Sequence, residues 1–202
     1  MERYYPIFLE LKNLPCLVVG GGQVACRKAG SLVSCGAKVR VVSPEVTADL
    51  KRMARRGRIR WVRRPFRASD LRGIRLAVCA TDDPTLNRRV SRLARRREIW
   101  INVVDQPALC SFIFPSVVRR GKLTVAISTG GMSPALARRL RLDIQKRYGR
   151  NYAALLKAIA PVRREVVKKV AGIGERKRLF EKALAAYFDV LRQGMRSHGK
   201  KS

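Results

Sequence analysis

Gly20-x-Gly22-x-x-Ala25 stands between a short apolar run, Cys16-Leu17-Val18-Val19, and a helical stripe. That stripe, Val24, Ala25, Ala29, Leu32 and Val33, stops at Gly36. A strand, a glycine bend and a helix start form the setting in which free backbone N–H groups and a helix dipole receive a phosphate. Gly20 makes the tight turn, Gly22 admits a pyrophosphate, and Ala25 lets the helix pack on the strand. The next strand, Val39-Arg40-Val41-Val42, ends in Ser43-Pro44-Glu45, with Glu45 twenty residues after Ala25. A carboxylate there holds ribose hydroxyls and repels a 2′-phosphate, which favours NAD over NADP. The alternative is a glycine turn that binds nothing.

Two further strand ends carry acids. Ala80-Thr81-Asp82-Asp83 is one, and Asn102-Val103-Val104-Asp105-Gln106-Pro107 is the other. Ligands of open parallel sheets sit outside such ends. Asp82 and Asp83 have a second explanation, as caps of the helix that Pro84 opens. Asp105 is the stronger candidate for acid–base work beside a nicotinamide, in a chain with 14 acids against 45 bases. A turn or capping role is its alternative. A last small-residue loop, Ser128-Thr129-Gly130-Gly131-Met132-Ser133-Pro134, precedes a helix with Arg138 and Arg139. Its backbone N–H groups and these cations suit substrate carboxylates. An ordinary strand-to-helix connection is the plainer reading.

The elements that must position these residues alternate. Further strands are expected at Ile59-Arg60-Trp61-Val62, Leu76 to Ala80 and Trp100 to Val104, with an Arg-rich helix over Asn87 to Arg97. Short apolar strands alternating with helices predict an α/β fold with a doubly wound parallel sheet. Phe112-Ile113-Phe114-Pro115 and Leu123 to Ile127 read as two more strands around a turn at Arg119 to Lys122. Ser133 and Pro134 open a helix that Gly149 ends. Two amphipathic helices follow, the first from Asn151 with a kink expected at Pro161, broken from the second at Gly172-Ile173-Gly174. The residues from about Gly194 are expected to be loose.

Composition narrows the classes. Of 202 residues 47% are hydrophobic, enough for a core despite a net charge of +31. No apolar run approaches the roughly 18 residues of a membrane span, and the first residues lack a signal-peptide pattern. A cytoplasmic location is therefore expected. The five cysteines (Cys16, Cys26, Cys35, Cys79, Cys110) show no C-x-x-C spacing, so buried free thiols are expected rather than disulfides or a metal site. The single histidine, His198, lies near the end, which argues against histidine chemistry. The charge alone admits a nucleic-acid-binding protein, but no aromatic platform or recognition motif accompanies it.

Five blocks occur in order: Val18-Val19-Gly20-Gly21-Gly22-x-Val24-Ala25-x-Arg27-Lys28, Ala80-Thr81-Asp82-Asp83, Asn102-Val103-Val104-Asp105-x-Pro107, Phe112-x-Phe114-Pro115 and Gly130-Gly131-x-Ser133-Pro134. Together they resemble the siroheme synthase N-terminal family of precorrin-2 dehydrogenases, some of which are also sirohydrochlorin ferrochelatases. The resemblance implies a Rossmann-like NAD-binding domain (1–113), a small strand–strand–helix dimerisation region (114–150) and a helical C-terminal domain (151–202). It implies NAD-dependent oxidation of precorrin-2 to sirohydrochlorin by a homodimer, with Fe²⁺ a second substrate in bifunctional members. The family's essential aspartate maps onto Asp105. Cofactor contacts map onto Gly20, Gly22, Gln23, Val24 and Ala25, onto Ser43, Pro44 and Glu45, and onto Thr81. Tetrapyrrole contacts are expected at Ser128, Gly130, Gly131, Ser133 and Arg138. No resident protein metal site is expected, because the pyrrole nitrogens become the ligands. The competing readings are a regulatory domain that senses NAD without turnover and a basic nucleic-acid-binding protein.

Overall fold

The computed structural model describes residues 4–198, with side chains through Phe188. It divides into two compact units. One runs to Phe114 and takes in Gly130–Met132; the other is Pro115–Thr129 and the chain from Ser133 onward.

The first unit is an α/β sheet. Its strands are β1 (Pro15–Val19), β2 (Lys38–Val42), β3 (Arg60–Val62), β4 (Leu76–Cys79) and β5 (Trp100–Val103). They pair in parallel in the order β3-β2-β1-β4-β5, with Val18 opposite both Val41 and Val78. The order reverses between β1 and β4, so this is a Rossmann-like sheet with its switch point there. Leu17, Val18, Ala77 and Val78 are wholly buried, because helices cover both faces and every strand position meets a core. One layer gathers Leu17, Val19, Val90, Ile101 and Val103; the other gathers Val18, Ala25, Leu32, Val41 and Leu50.

Helices α1 (Gln23–Ser34), α2 (Ala48–Arg55) and α3 (Pro84–Arg95) connect the strands, with short 3₁₀ turns at Ala68–Leu71 and Pro107–Leu109. The Asp83 carboxylate accepts from the N–H groups of Thr85 (2.8 Å) and Leu86 (3.1 Å), and Pro84 takes the first turn of α3. Asp83 is therefore a cap, while Asp82 is an exposed loop residue. After β3 the chain is pinned by an ion pair between the partly exposed Arg64 and the buried Asp70. The Arg64 guanidinium donates to both Asp70 oxygens, at 2.6 and 2.8 Å, and the Arg67 N–H adds a third bond at 2.8 Å.

The second unit has an antiparallel hairpin, β6 (Ser116–Arg120) and β7 (Leu123–Ile127), turning at Gly121-Lys122. Three helices follow, α4 (Pro134–Arg147), α5 (Asn151–Lys169) and α6 (Ile173–His198). Arg120 ties the hairpin to the end of α4 by donating to the carbonyls of Gln145 (3.0 Å) and Tyr148 (2.9 Å). α5 runs through Pro161. The break comes at Val170–Gly172, and Ile173 and Gly174 open α6 rather than separating the helices. Of the stretch expected to be loose, α6 takes in the backbone to His198 and the rest lies outside the described residues, as does the His198 side chain.

One expected strand is absent. Phe112-Ile113-Phe114-Pro115 is an irregular segment, and the strand begins at Ser116. Pro115 has no N–H to give a ladder. Instead the Asn102 amide donates to the Phe112 carbonyl at 3.1 Å, and the Phe112 and Phe114 rings pack edge-on with centroids 5.1 Å apart. Side chains, not a strand ladder, anchor the segment.

Candidate functional site

The first set of residues gathers at the C-terminal edge of the parallel sheet. Gly20 has φ +118, a conformation that only glycine adopts freely. A Cβ there would stand 2.1 Å from the Ala80 carbonyl oxygen. At Gly21 a Cβ would stand 1.9 Å from the Glu45 carbonyl oxygen, and the Thr47 N–H donates to the Gly21 carbonyl at 2.9 Å. The bend is thus wedged between the ends of β2 and β4. It brings Ser43, Pro44, Glu45 and Thr81 to the same edge. Gly22 differs: a Cβ built on it meets nothing within 4 Å. It is the N-cap of α1 and offers no side-chain cap. The N–H groups of Gln23, Val24 and Ala25 therefore start a helix with no side chain to receive them. Ala25 is fully buried against the sheet.

An open cradle, an uncapped helix start and the dipole of α1 fit the phosphates of a dinucleotide. Glu45 is exposed beside them, where a ribose hydroxyl would be held. A bound nicotinamide dinucleotide would supply hydride acceptance.

Asp105 follows β5. The Val104 N–H bonds the Cys79 carbonyl at 3.0 Å, and the Gln106 N–H bonds the Val103 carbonyl at 3.3 Å, which fixes a turn at the sheet edge. Asp105 sits in that turn with φ +57, a region aspartate tolerates better than most residues. Its side chain is exposed and, among the described residues, has no hydrogen bond or ion pair within 4.0 Å. The carboxylate is therefore not consumed by capping. Cys110 closes the loop behind it, its sulfur taking the Val103 N–H at 3.2 Å. Burial pushes the Cys110 thiol up. It also pushes Cys16 up to about 11 and Cys79 up to about 12, so these are inert thiols. Among the described residues, which include all five cysteines, no disulfide joins them.

One residue of this region was given no role from sequence. Lys28, in α1, is half-buried, with its ammonium 3.8 Å from the centre of the Phe114 ring. Burial first, and then Arg27, lower its pKa to about 8, while Asp105 and Cys110 act the other way. Nothing in a lysine following an arginine on a helix separates this from a solvated pair. Only the folded position of Phe114 and Asp105 does.

The second loop has its own geometry. Gly130 and Gly131 have φ of +63 and +86. The Thr129 hydroxyl donates to the Ser133 carbonyl and accepts from the Ser133 N–H, both at 3.1 Å. The Ser133 hydroxyl accepts from the Leu136 N–H at 3.2 Å and so caps α4. Ser128 and Arg138 are exposed. Among the described residues no group of three His, Cys, Asp or Glu side chains could hold a metal ion, and no helix is long and apolar enough to cross a membrane.

Known proteins resemble this chain over most of its length. An NAD(P)-binding family model matches residues 7–116, and a model described as sirohaem biosynthesis protein, central, matches residues 120–147. The siroheme synthase of Methylococcus capsulatus is 44% identical over 181 residues, which cover 90% of this chain and 38% of the relative. That of Methylobacillus flagellatus is 47% identical over 175 residues, covering 87% and 37%. The chain thus spans about two fifths of the length of these curated relatives. Among solved structures, the precorrin-2 dehydrogenase SirC superposes with a TM-score of 0.74 at 26% identity, covering 89% of this chain and 88% of that one. With the dinucleotide cradle and the sirohaem-biosynthesis segment following one another in a single chain, the protein belongs to the siroheme synthase N-terminal family.

Proposed function

We propose that this protein oxidises precorrin-2 to sirohydrochlorin with NAD⁺, in siroheme biosynthesis. The observation that carries the reading is the pairing of an uncapped glycine bend with an unengaged carboxylate on one sheet edge. The names of the related siroheme synthases and of SirC point the same way. Gly20, Gly22, Gln23, Val24 and Ala25 bind the dinucleotide, with Ser43, Pro44 and Thr81 lining the bend. Glu45 holds the adenosine ribose and selects NAD over NADP by repelling a 2′-phosphate. Oxidation removes two electrons and two protons from the macrocycle. One hydride leaves to the nicotinamide, and Asp105 takes the remaining proton as general base. Ser128, Gly130, Gly131, Ser133 and Arg138 receive carboxylates of the octacarboxylate substrate. The surplus of cations raises the rate at which such an anion arrives.

We assign the protein to the cytoplasm as a homodimer. When Fe²⁺ is offered, Asp105 accepts the pyrrole protons that the metal displaces, which needs no resident metal ligand. The test is anaerobic incubation with precorrin-2 and NAD⁺, following reduced nicotinamide and the sirohydrochlorin spectrum, with Fe²⁺ added afterwards. Asp105→Asn should lower kcat about 1000-fold while dinucleotide binding is kept. Near-normal turnover by that variant would remove Asp105 from the mechanism. Dinucleotide binding without turnover by the native chain would favour a sensing domain instead.

A further inference from the structure

Lys28 is half-buried in α1, yet it lacks the partners that a buried ammonium normally finds. Among the described residues its three N–H bonds make no hydrogen bond within 3.5 Å and meet no carboxylate within 4.0 Å. Its ammonium stands 3.8 Å over the Phe114 ring, a contact that accepts a cation but takes no conventional hydrogen bond. The groups that face it are Arg27 from its own helix, Asp105 from the turn after β5, and Cys110. The Cys110 thiol is pushed up by burial, which leaves Asp105 as the neighbouring anion. Asp105 in turn has no ion pair. Two opposite charges thus act on each other without touching. A structural ion pair closes to hydrogen-bond distance, as Arg64 and Asp70 do in this same unit.

We propose that Lys28 is a substrate-binding residue, whose ammonium takes a carboxylate of the tetrapyrrole beside Asp105 and so sets the macrocycle against that base. This rests on the function proposed above. The Phe114 ring lies against the cation and covers one side of it. The unfilled hydrogen-bonding capacity of the ammonium is what a carboxylate completes. The depressed pKa, to about 8, is the cost of holding the cation there before the substrate arrives. A carboxylate bound against it reverses that cost, so substrate and proton bind Lys28 together.

The experiment has two arms on the full chain. In the first, Lys28→Met and Lys28→Arg are compared with the native protein in precorrin-2 turnover. Lys28→Met should raise the KM for precorrin-2 about tenfold, with kcat changed far less and the KM for NAD⁺ unchanged. Its thermal stability should stay level or rise, because a desolvated charge is removed. Lys28→Arg should recover much of the KM. In the second arm, the Lys28 ammonium of the native protein is titrated by NMR, free and with sirohydrochlorin. The pKa should rise from about 8 by about one unit on binding. An unchanged KM in Lys28→Met, or a titration that sirohydrochlorin leaves in place, overturns the inference. If Lys28→Met does not fold, the titration decides alone. A native protein that neither binds nor oxidises tetrapyrrole sinks the proposed function itself. Native turnover with an indifferent Lys28→Met sinks only this inference.

Discussion

The two units answer one question differently: who satisfies the start of a helix that follows a glycine loop. In the sheet unit, Gly22 starts α1 with no side chain to receive its N–H groups. In the hairpin unit, Ser133 caps α4 with its own hydroxyl, and the Thr129 hydroxyl bridges the turn before it. Sequence makes the two loops look alike, since both are small-residue turns between a strand and a helix. The folded chain separates them into one helix start whose N–H groups meet no side-chain acceptor and one that is capped from within its own turn. Within the sheet unit α3 repeats the contrast, because Asp83 caps it. Within the sheet unit α1 is the one α-helix of three that starts without a side-chain cap; in the other unit α5, which begins after Arg150, does so too.

The units also differ in how their charges are held, and this gives the largest expected effect. Asp70 is 3% exposed and bound by Arg64 and the Arg67 N–H. The guanidinium of Arg64 first, and then the Arg67 N–H, hold its carboxyl below the ordinary value of 3.8. The second unit's ion pairs, Arg139–Asp143, Lys169–Glu165 and Lys177–Glu181, are all exposed helix pairs, as is Arg52–Asp49 in the sheet unit. Such pairs contribute little. Asp70→Ala should cost about 1.5 to 3 kcal/mol, because the Arg64 guanidinium and the Arg67 N–H lose a charged acceptor. The pH dependence follows from the direction of the shift. A carboxyl depressed in the folded state adds stability above its unfolded pKa, and that stability is lost as pH falls through the folded one. Acid titration followed by hydrogen exchange should open the sheet unit with a transition below pH 3.8 that Asp70→Ala lacks. Loss of the hairpin unit's protection in that same transition would break the distinction.

The next effect acts on the open loop. Gly22 has φ −77, and a Cβ there meets nothing within 4 Å. Gly22→Asp should therefore fold, with stability within a few tenths of a kcal/mol of the native chain. It places a carboxylate where the dinucleotide phosphates go, so NAD⁺ affinity should fall about 100-fold by calorimetry. Unchanged affinity would mean that the bend holds no phosphate. Glu45→Arg acts on the same edge with a smaller effect. It should move the NAD⁺ to NADP⁺ preference about tenfold toward NADP⁺, measured as a ratio of dissociation constants. An unmoved ratio would remove Glu45 from ribose selection.

What sequence could and could not show follows the same line. Sheet strands buried on both faces announce themselves as apolar runs, as Cys16 to Val19 and Leu76 to Cys79 do. Glycine spacing after such a run locates the bend, because only a few residue types fit it. Phe112 and Phe114 misled because alternation alone does not separate a paired strand from a segment held by Asn102 and ring packing. Helix α2 carries only a short stripe, Leu50, Met53 and Ala54, among charged residues; its other signals are the Thr47 cap and Asp49 in the first turn. Lys28 was illegible for a different reason. Its environment is made by Phe114 and Asp105, far along the chain, and no local pattern encodes a missing partner.

The smallest effect tests the closed loop. Ser133→Ala removes the acceptor that the Leu136 N–H uses at 3.2 Å. A lost cap costs about 1 kcal/mol, so thermal denaturation should register a modest fall. The affinity for NAD⁺ should not change, because the cap of α4 is spent inside its own turn. The pairing with Gly22→Asp is what gives this variant its force. One substitution should shift binding with little change in stability, and the other should do the reverse. If Ser133→Ala instead weakens NAD⁺ as strongly as Gly22→Asp does, the second loop also serves the dinucleotide, and the division between an open and a self-satisfied helix start no longer holds.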